Sequence, residues 1–164
     1  MRVNFWGVVH GVEEFVPRLI AQGAGGHVVN TASMAGLVPM VGLGAYVATK
    51  YAGVGLTDTL QRELRAHRIG VSVLCPMIVN TNINSSDRNR PAALRNPGAP
   101  VVAADAPPTP PPGDMAGGVI EAPDVAERVL AAIKGNHLYV LTHKASRDII
   151  RHRFERLDAA AATV

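Results

Sequence analysis

Short apolar runs with strand character alternate with longer stretches of helical periodicity along this chain, and that alternation restricts the fold more than any other feature. From Val8 the apolar residues Val12, Phe15 and Leu19 recur at helical spacing until Gly23, Gly25 and Gly26, which predicts a helix followed by a turn. Residues 27–31 read as a short strand, with Ser33 just beyond its carboxyl end. After a glycine-rich, irregular stretch over 36–44, helical character resumes near Tyr46 and continues through Leu56, Leu60 and Leu64. Residues 71–75, closed by Pro76, form a second strand. Pro123 and Asp124 suit a helix start, Val125, Val129, Leu130 and Ile133 share a face up to Gly135, and 137–142 supply a third strand. This order belongs to an α/β fold, a parallel sheet of about three strands with flanking helices and right-handed crossovers.

The chain has 164 residues, enough for one ordinary domain, so 1–164 is read as a single domain. Nearly half the residues are hydrophobic, at 48%, while 4% are aromatic, which suits a tightly packed α/β core rather than a disordered chain. Residues 84–121 break the alternation. They are rich in Pro and Ala and hold the run 107–113, which neither a regular helix nor a central strand accommodates. A surface loop is predicted there.

A formal charge of +3 raises the question of nucleic acid. The basic residues are scattered until Arg147, Arg151, Arg153 and Arg156, where Ile150, Phe154 and Leu157 fall at helical spacing among them. They are read as the wet face of an amphipathic helix, with no nucleic-acid partner. The single cysteine, Cys75, lies in an apolar strand and reads as a buried thiol. Glu13, Glu14 and Pro17 interrupt the amino-terminal apolar stretch, so no signal peptide or membrane span is expected and the chain is read as cytoplasmic. The six histidines show no His-Glu-x-x-His spacing, and no metal site is expected. No Gly-x-Ser-x-Gly elbow surrounds Ser33, which argues against an acyl nucleophile.

Tyr46 and Lys50 stand four residues apart on a predicted helix, so phenol and ammonium share one face. A fixed cation beside a phenol favours the phenolate, the form that can exchange a proton with an alcohol. Ser33 lies at the carboxyl end of the preceding strand, where open α/β sheets place their ligands. Its hydroxyl can hold a carbonyl oxygen against the tyrosine.

With these residues in view, the sequence resembles the short-chain dehydrogenase/reductase family. The resemblance rests on Asn30-Thr-Ala-Ser33-Met-Ala-Gly36, on the interval from Ser33 to Tyr46, on Ala45-Tyr46-Val-Ala-Thr-Lys50-Tyr-Ala and on the strand ending at Pro76. Val3-Asn4-Phe-Trp-Gly7 matches the helix that carries the family's catalytic asparagine. The resemblance implies an NAD(P)-dependent oxidoreductase that transfers a hydride between nicotinamide and an alcohol or carbonyl. Tyr46 would be the general acid/base. Lys50 would favour its phenolate and hold the nicotinamide ribose, Ser33 would orient the carbonyl, and Asn4 would anchor a water leading to Lys50. Pro76, Val79 and Thr81 would meet the nicotinamide carboxamide, with Met77 in place of the usual glycine. Leu37, Val38, Val41 and the loop after Thr81 would line the substrate pocket.

The resemblance further implies that these residues are the carboxyl-terminal part of a doubly wound, Rossmann-like fold. The first βαβ half, with its glycine-rich phosphate turn and the residue that separates NAD from NADP, is not among them. Two readings follow: an oxidoreductase, in a truncated chain or completed by another chain, or a non-catalytic remnant serving as an interaction module. The family pairs subunits through helices corresponding to 1–21 and 46–67, so a homo-oligomer through them is the expected partner arrangement.

Overall fold

The computed structural model describes residues 1–94 and 117–163. Helix α1 (Trp6–Gln22) ends where Gly23 turns into the left-handed region, φ 66°, and gives its N–H to the Ile20 carbonyl. Strand β1 (Gly26–Thr31), helix α2 (Gly44–Glu63) and strand β2 (Ile69–Cys75) follow. After these come two short strands, β3 (Val79–Asn80) and β4 (Ile120–Glu121), helix α3 (Ala122–Gly135), strand β5 (Tyr139–Leu141) and helix α4 (Ser146–Ala161). The α/β architecture and parallel sheet expected from the sequence are therefore present.

Strands β1, β2 and β5 form the main sheet in that order, all parallel. Register runs from Gly26 opposite Ile69 to Thr31 opposite Leu74, and Cys75 stands opposite Leu141. The three strands thus finish at one level. Alternation along β2 assigns its faces. Ile69, Val71, Val73 and Cys75 turn toward α1 and α2, where Val16, Leu60 and Leu64 close one cluster and Val54 and Ala32 a second. Val140 projects to the opposite face, 4% exposed, where α3 packs on β2 and β5 through its buried Val125 and Ala132. At about 25 cal/mol per Å2, the Val, Leu and Ile side chains among these contribute roughly 1.5–3 kcal/mol each.

Two cross-links tie α2 to the sheet. Asn30 Nδ2 donates to Thr57 Oγ1 at 3.1 Å, and the Tyr139 hydroxyl reaches both oxygens of Asp58 at 2.9 Å. Burial and the Asp58 carboxylate push the Tyr139 phenol up to about 12. In and around the stretch 84–121, 3-10 turns occupy Asn82–Asn89 and Ala92–Leu94, and β4 pairs back with β3. The proline run 107–113 lies outside the described residues.

The last helix departs from the sequence expectation. Arg147, Arg151 and Arg156 are exposed, but Arg153 turns inward. It donates from Nη1 to the Leu37 carbonyl at 2.8 Å and stacks 4.8 Å from the Tyr51 ring centroid. Phe154 and Leu157, read as the apolar face, are 54% and 51% exposed. A guanidinium can cap a loop carbonyl and cover an aromatic ring at once, and here that outweighs burial of the two apolar side chains. No described helix is long and apolar enough to cross a membrane, and no group of His, Cys, Asp or Glu suited to a metal ion occurs among the described residues.

Candidate active site

The site is assembled where β1 and β2 end. The ladder between them continues past the strand: Ala32 N–H bonds the Leu74 carbonyl at 2.8 Å and Met34 N–H bonds the Pro76 carbonyl at 3.0 Å. Ser33 sits between these two bonds in an extended conformation and starts the 3-10 turn Met34–Gly36. Its Oγ accepts the Ala35 N–H at 3.1 Å. The cap uses a lone pair and leaves the hydroxyl proton free to donate to another oxygen. Met34 and Ala35, at 1% and 0% exposure, hold the turn down.

Tyr46 lies in the first turn of α2 and Lys50 one turn later, with Lys50 Nζ 5.7 Å from the Tyr46 ring centroid. The ammonium also donates to the Thr31 carbonyl at 3.4 Å. Lys50 therefore spans from α2 to the last residue of β1, two positions before Ser33. Half-burial lowers its pKa, opposed by the nearby Cys75 sulfur. The Cys75 thiol itself is fully buried and pushed up to about 12 by desolvation, in keeping with a structural rather than nucleophilic role.

The spacing between the Ser33 turn and α2 is set by Gly36. A Cβ at that position would stand 2.7 Å from the Lys50 carbonyl oxygen and 2.8 Å from Val54 Cγ2. Real Cβ atoms do not approach so closely, so glycine lets the turn lie directly on the helix that carries Tyr46 and Lys50.

The other residues singled out by sequence are dispersed. Pro76 is tied to the Ser33 turn through its carbonyl. Met77 is drawn to the far side, its N–H on Thr142 Oγ1 at 3.1 Å and its sulfur accepting the Ser146 hydroxyl at 3.4 Å. Val79 is in β3, and the exposed Thr81 accepts the Ile83 N–H at 3.4 Å. Asn4 is exposed in the turn ahead of α1 rather than on the helix, and among the described residues no hydrogen bond joins it to Lys50, Tyr46 or Ser33. Val38 is buried and lines a cavity of about 440 Å3 with Pro39, Tyr51 and Ile149, whereas Val41 is fully exposed. Sequence reasoning missed the Thr31 carbonyl and Arg153. Neither carries a residue-type signal, since one is backbone and the other looks like surface charge.

The family model for the short chain dehydrogenases matches residues 1–92, a stretch that contains Asn4, Ser33, Tyr46, Lys50, Pro76, Val79 and Thr81. The chain belongs to that family. Among solved short-chain dehydrogenases, one from Burkholderia phymatum in complex with NAD is 36% identical, with a TM-score of 0.78 over 96% of this chain and 57% of that one. The 1-deoxy-11-beta-hydroxypentalenate dehydrogenase of Streptomyces exfoliatus is 31% identical over 153 residues, covering 93% of this chain and 48% of its own. The CLA biosynthesis dehydrogenase/reductase of Lactiplantibacillus plantarum is 29% identical over 163 residues, 96% of this chain and 56% of its own. This short-chain dehydrogenase sequence thus spans about half the length of each of these relatives.

Proposed function

We propose that this chain carries the nicotinamide-facing and substrate-facing half of an NAD(P)-dependent oxidoreductase acting on an alcohol or carbonyl, with Tyr46 as general acid/base. The reading rests on one observation: the Lys50 ammonium lies beside the Tyr46 ring and bonds the end of β1, at the point where Ser33 stands. Residues 1–164 are read as one domain.

The donor set suits the nicotinamide end of such a cofactor. Lys50 has three N–H donors and gives one to Thr31, so two remain for ribose hydroxyls. Backbone at Val79 and the exposed hydroxyl of Thr81 are the candidates for the carboxamide. No Thr-Gly-x-x-x-Gly-x-Gly turn for the pyrophosphate occurs in these 164 residues. When bound, nicotinamide supplies a hydride acceptor or donor at C4. In alcohol oxidation Tyr46 would take the hydroxyl proton while the carbon that bears the hydroxyl gives up a hydride, and the Ser33 hydroxyl would hydrogen-bond the oxygen that becomes the carbonyl. Lys50 steadies the charge on the phenolate throughout. Reduction reverses each transfer, and Asn4 is the candidate anchor for water that returns the proton.

A second reading, an interaction module using helices 1–21 and 46–67, is favoured by the apolar surface of α1: Trp6, Phe15 and Ile20 are 46%, 60% and 37% exposed. Titrating NADH and NADPH while following nicotinamide fluorescence, then assaying a panel of alcohols, separates the two. Turnover abolished by Tyr46→Phe supports the enzyme. A folded, soluble chain that binds neither nucleotide sinks autonomous catalysis.

A further inference from the structure

The peptide group between Pro76 and Met77 is held at both of its polar ends. Its carbonyl accepts the N–H of Met34, the residue after Ser33, at 3.0 Å. Its N–H donates to Thr142 Oγ1 at 3.1 Å. The peptide is trans and planar, so C=O and N–H point to opposite sides, and a partner on each side fixes how the plane is turned. Residues 77–81, which carry the candidate carboxamide contacts, start from that plane.

Thr142 is itself held. It follows β5 directly and is 1% exposed, and its Oγ1 lies 2.7 Å from Nδ1 of the buried His143. Across the ring, Nε2 is 3.2 Å from the Gly118 carbonyl. A carbonyl only accepts, so Nε2 carries the proton, and the neutral imidazole presents Nδ1 as an acceptor. The Thr142 hydroxyl therefore gives its single proton to Nδ1, and an oxygen lone pair receives the Met77 N–H. The bonds run one way, from Met77 through Thr142 and His143 to Gly118.

At Gly118 the backbone closes on the ring. Gly117 and Gly118 have φ of 103° and 73°, and a Cβ on Gly117 would stand 3.0 Å from His143 Cδ2. Just beyond, β4 lies beside β3: Ile120 N–H bonds the Ile78 carbonyl at 3.2 Å, and Asn80 Nδ2 donates to the Glu121 carboxylate at 3.0 Å. Residues 77–81 thus lean on a stretch that His143 secures. The Met77 side chain is held separately. Ser146, at the start of α4 and 0% exposed, donates its hydroxyl to Met77 Sδ at 3.4 Å and its N–H to the His143 carbonyl at 3.1 Å.

We propose that Thr142 and His143 are positioning residues for the nicotinamide end of the site, and that Ser146 retains the Met77 side chain so that methionine can stand where the family usually has glycine. The role rests on the proposed nicotinamide binding. None of the three residues touches the cofactor; they act through the Pro76–Met77 peptide, which sets residues 77–81 relative to Ser33. Removing the Thr142 hydroxyl leaves the half-buried Met77 N–H without its acceptor and frees the peptide plane to turn.

The test is a nicotinamide-fluorescence titration of the full chain with NADH and NADPH, under conditions where urea unfolding shows each variant to be folded. Thr142→Val keeps the side-chain shape and loses the hydroxyl, whereas Thr142→Ser keeps the hydroxyl. Affinity for the dinucleotide that the wild type takes should fall about tenfold in Thr142→Val, as for one lost hydrogen bond, and return to within about twofold in Thr142→Ser. Met77→Gly should also bind more weakly, by about threefold or more, because the sulfur anchor is gone and the backbone there is freer. It decides the matter alone if Thr142→Val does not fold. A purely structural Thr142 would lower the urea midpoint and leave the affinity of the folded chain unchanged. That result overturns the role, as does equal or tighter binding by Met77→Gly, or failure of Thr142→Ser to restore affinity. Binding of neither dinucleotide by the wild type would instead sink the nicotinamide reading, and this role with it.

Discussion

Lys50 Nζ donates to the carbonyl of Thr31 at 3.4 Å, joining the second helix to the last residue of the first strand. A single side chain thereby positions its own charge and spans the elements that carry Tyr46 and Ser33. Lys50→Met removes both functions. If the chain turns over a substrate, kcat should fall by about 10²-fold or more, in the range of a lost acid/base contribution. Steady-state kinetics of Lys50→Met beside Tyr46→Phe checks this, and unchanged kcat in Lys50→Met contradicts the role.

Arg153 is the counterpart on the other side of the Ser33 turn. Arg153→Ala loses the bond to Leu37 and the stacking on Tyr51, and should cost about 1–3 kcal/mol in urea unfolding. The control is Arg151→Ala. Arg151 pairs with Asp148 and Glu155 but is 56% exposed, so its loss should cost less than about 1 kcal/mol. Equal effects would show that Arg153 is surface charge after all.

Cys75 should resist alkylation in the native protein at mildly alkaline pH and react on addition of denaturant. Its folded value of about 12 lies above the ordinary 9.0, so the unfolded chain loses its thiol proton first as pH rises. The contribution of this group to stability is full below 9.0 and declines from there toward 12. Cys75→Ala should flatten that part of the stability profile, measured by denaturant titration at several pH values.

His27 acts with the opposite sign. Burial lowers its folded pKa below 6.5, so the unfolded chain takes up the proton first as pH falls. Stability attributable to His27 is intact above 6.5 and declines as pH drops toward the folded pKa. Its ring signals in NMR should titrate with a midpoint below 6.5. A midpoint at or above 6.5 contradicts this account.

The main elements were legible because each carries a period: Val12, Leu19 and Leu60 for helices, and the 71–75 run for a strand buried on both faces. Ends were less so. The second strand begins at Ile69 and the third is confined to Tyr139–Leu141, since pairing partners rather than composition decide where a ladder stops. The β3 and β4 pair went unread because two-residue strands have no period to detect. At the site, Ser33, Tyr46 and Lys50 were visible as residue types at fixed intervals. Arg153 was not, because a helical arginine looks the same in sequence whether it faces water or caps a distant carbonyl.

Gly36 gives a way to separate a meaningful Tyr-x-x-x-Lys pair from a chance one. With no room for a methyl group between the Ser33 turn and the Lys50 backbone, position 36 works as a gauge of separation. A chain that keeps the serine, tyrosine and lysine at these intervals but bears a larger residue at this point would have its two reactive elements held apart, and the three side chains would share a sequence pattern without sharing a substrate.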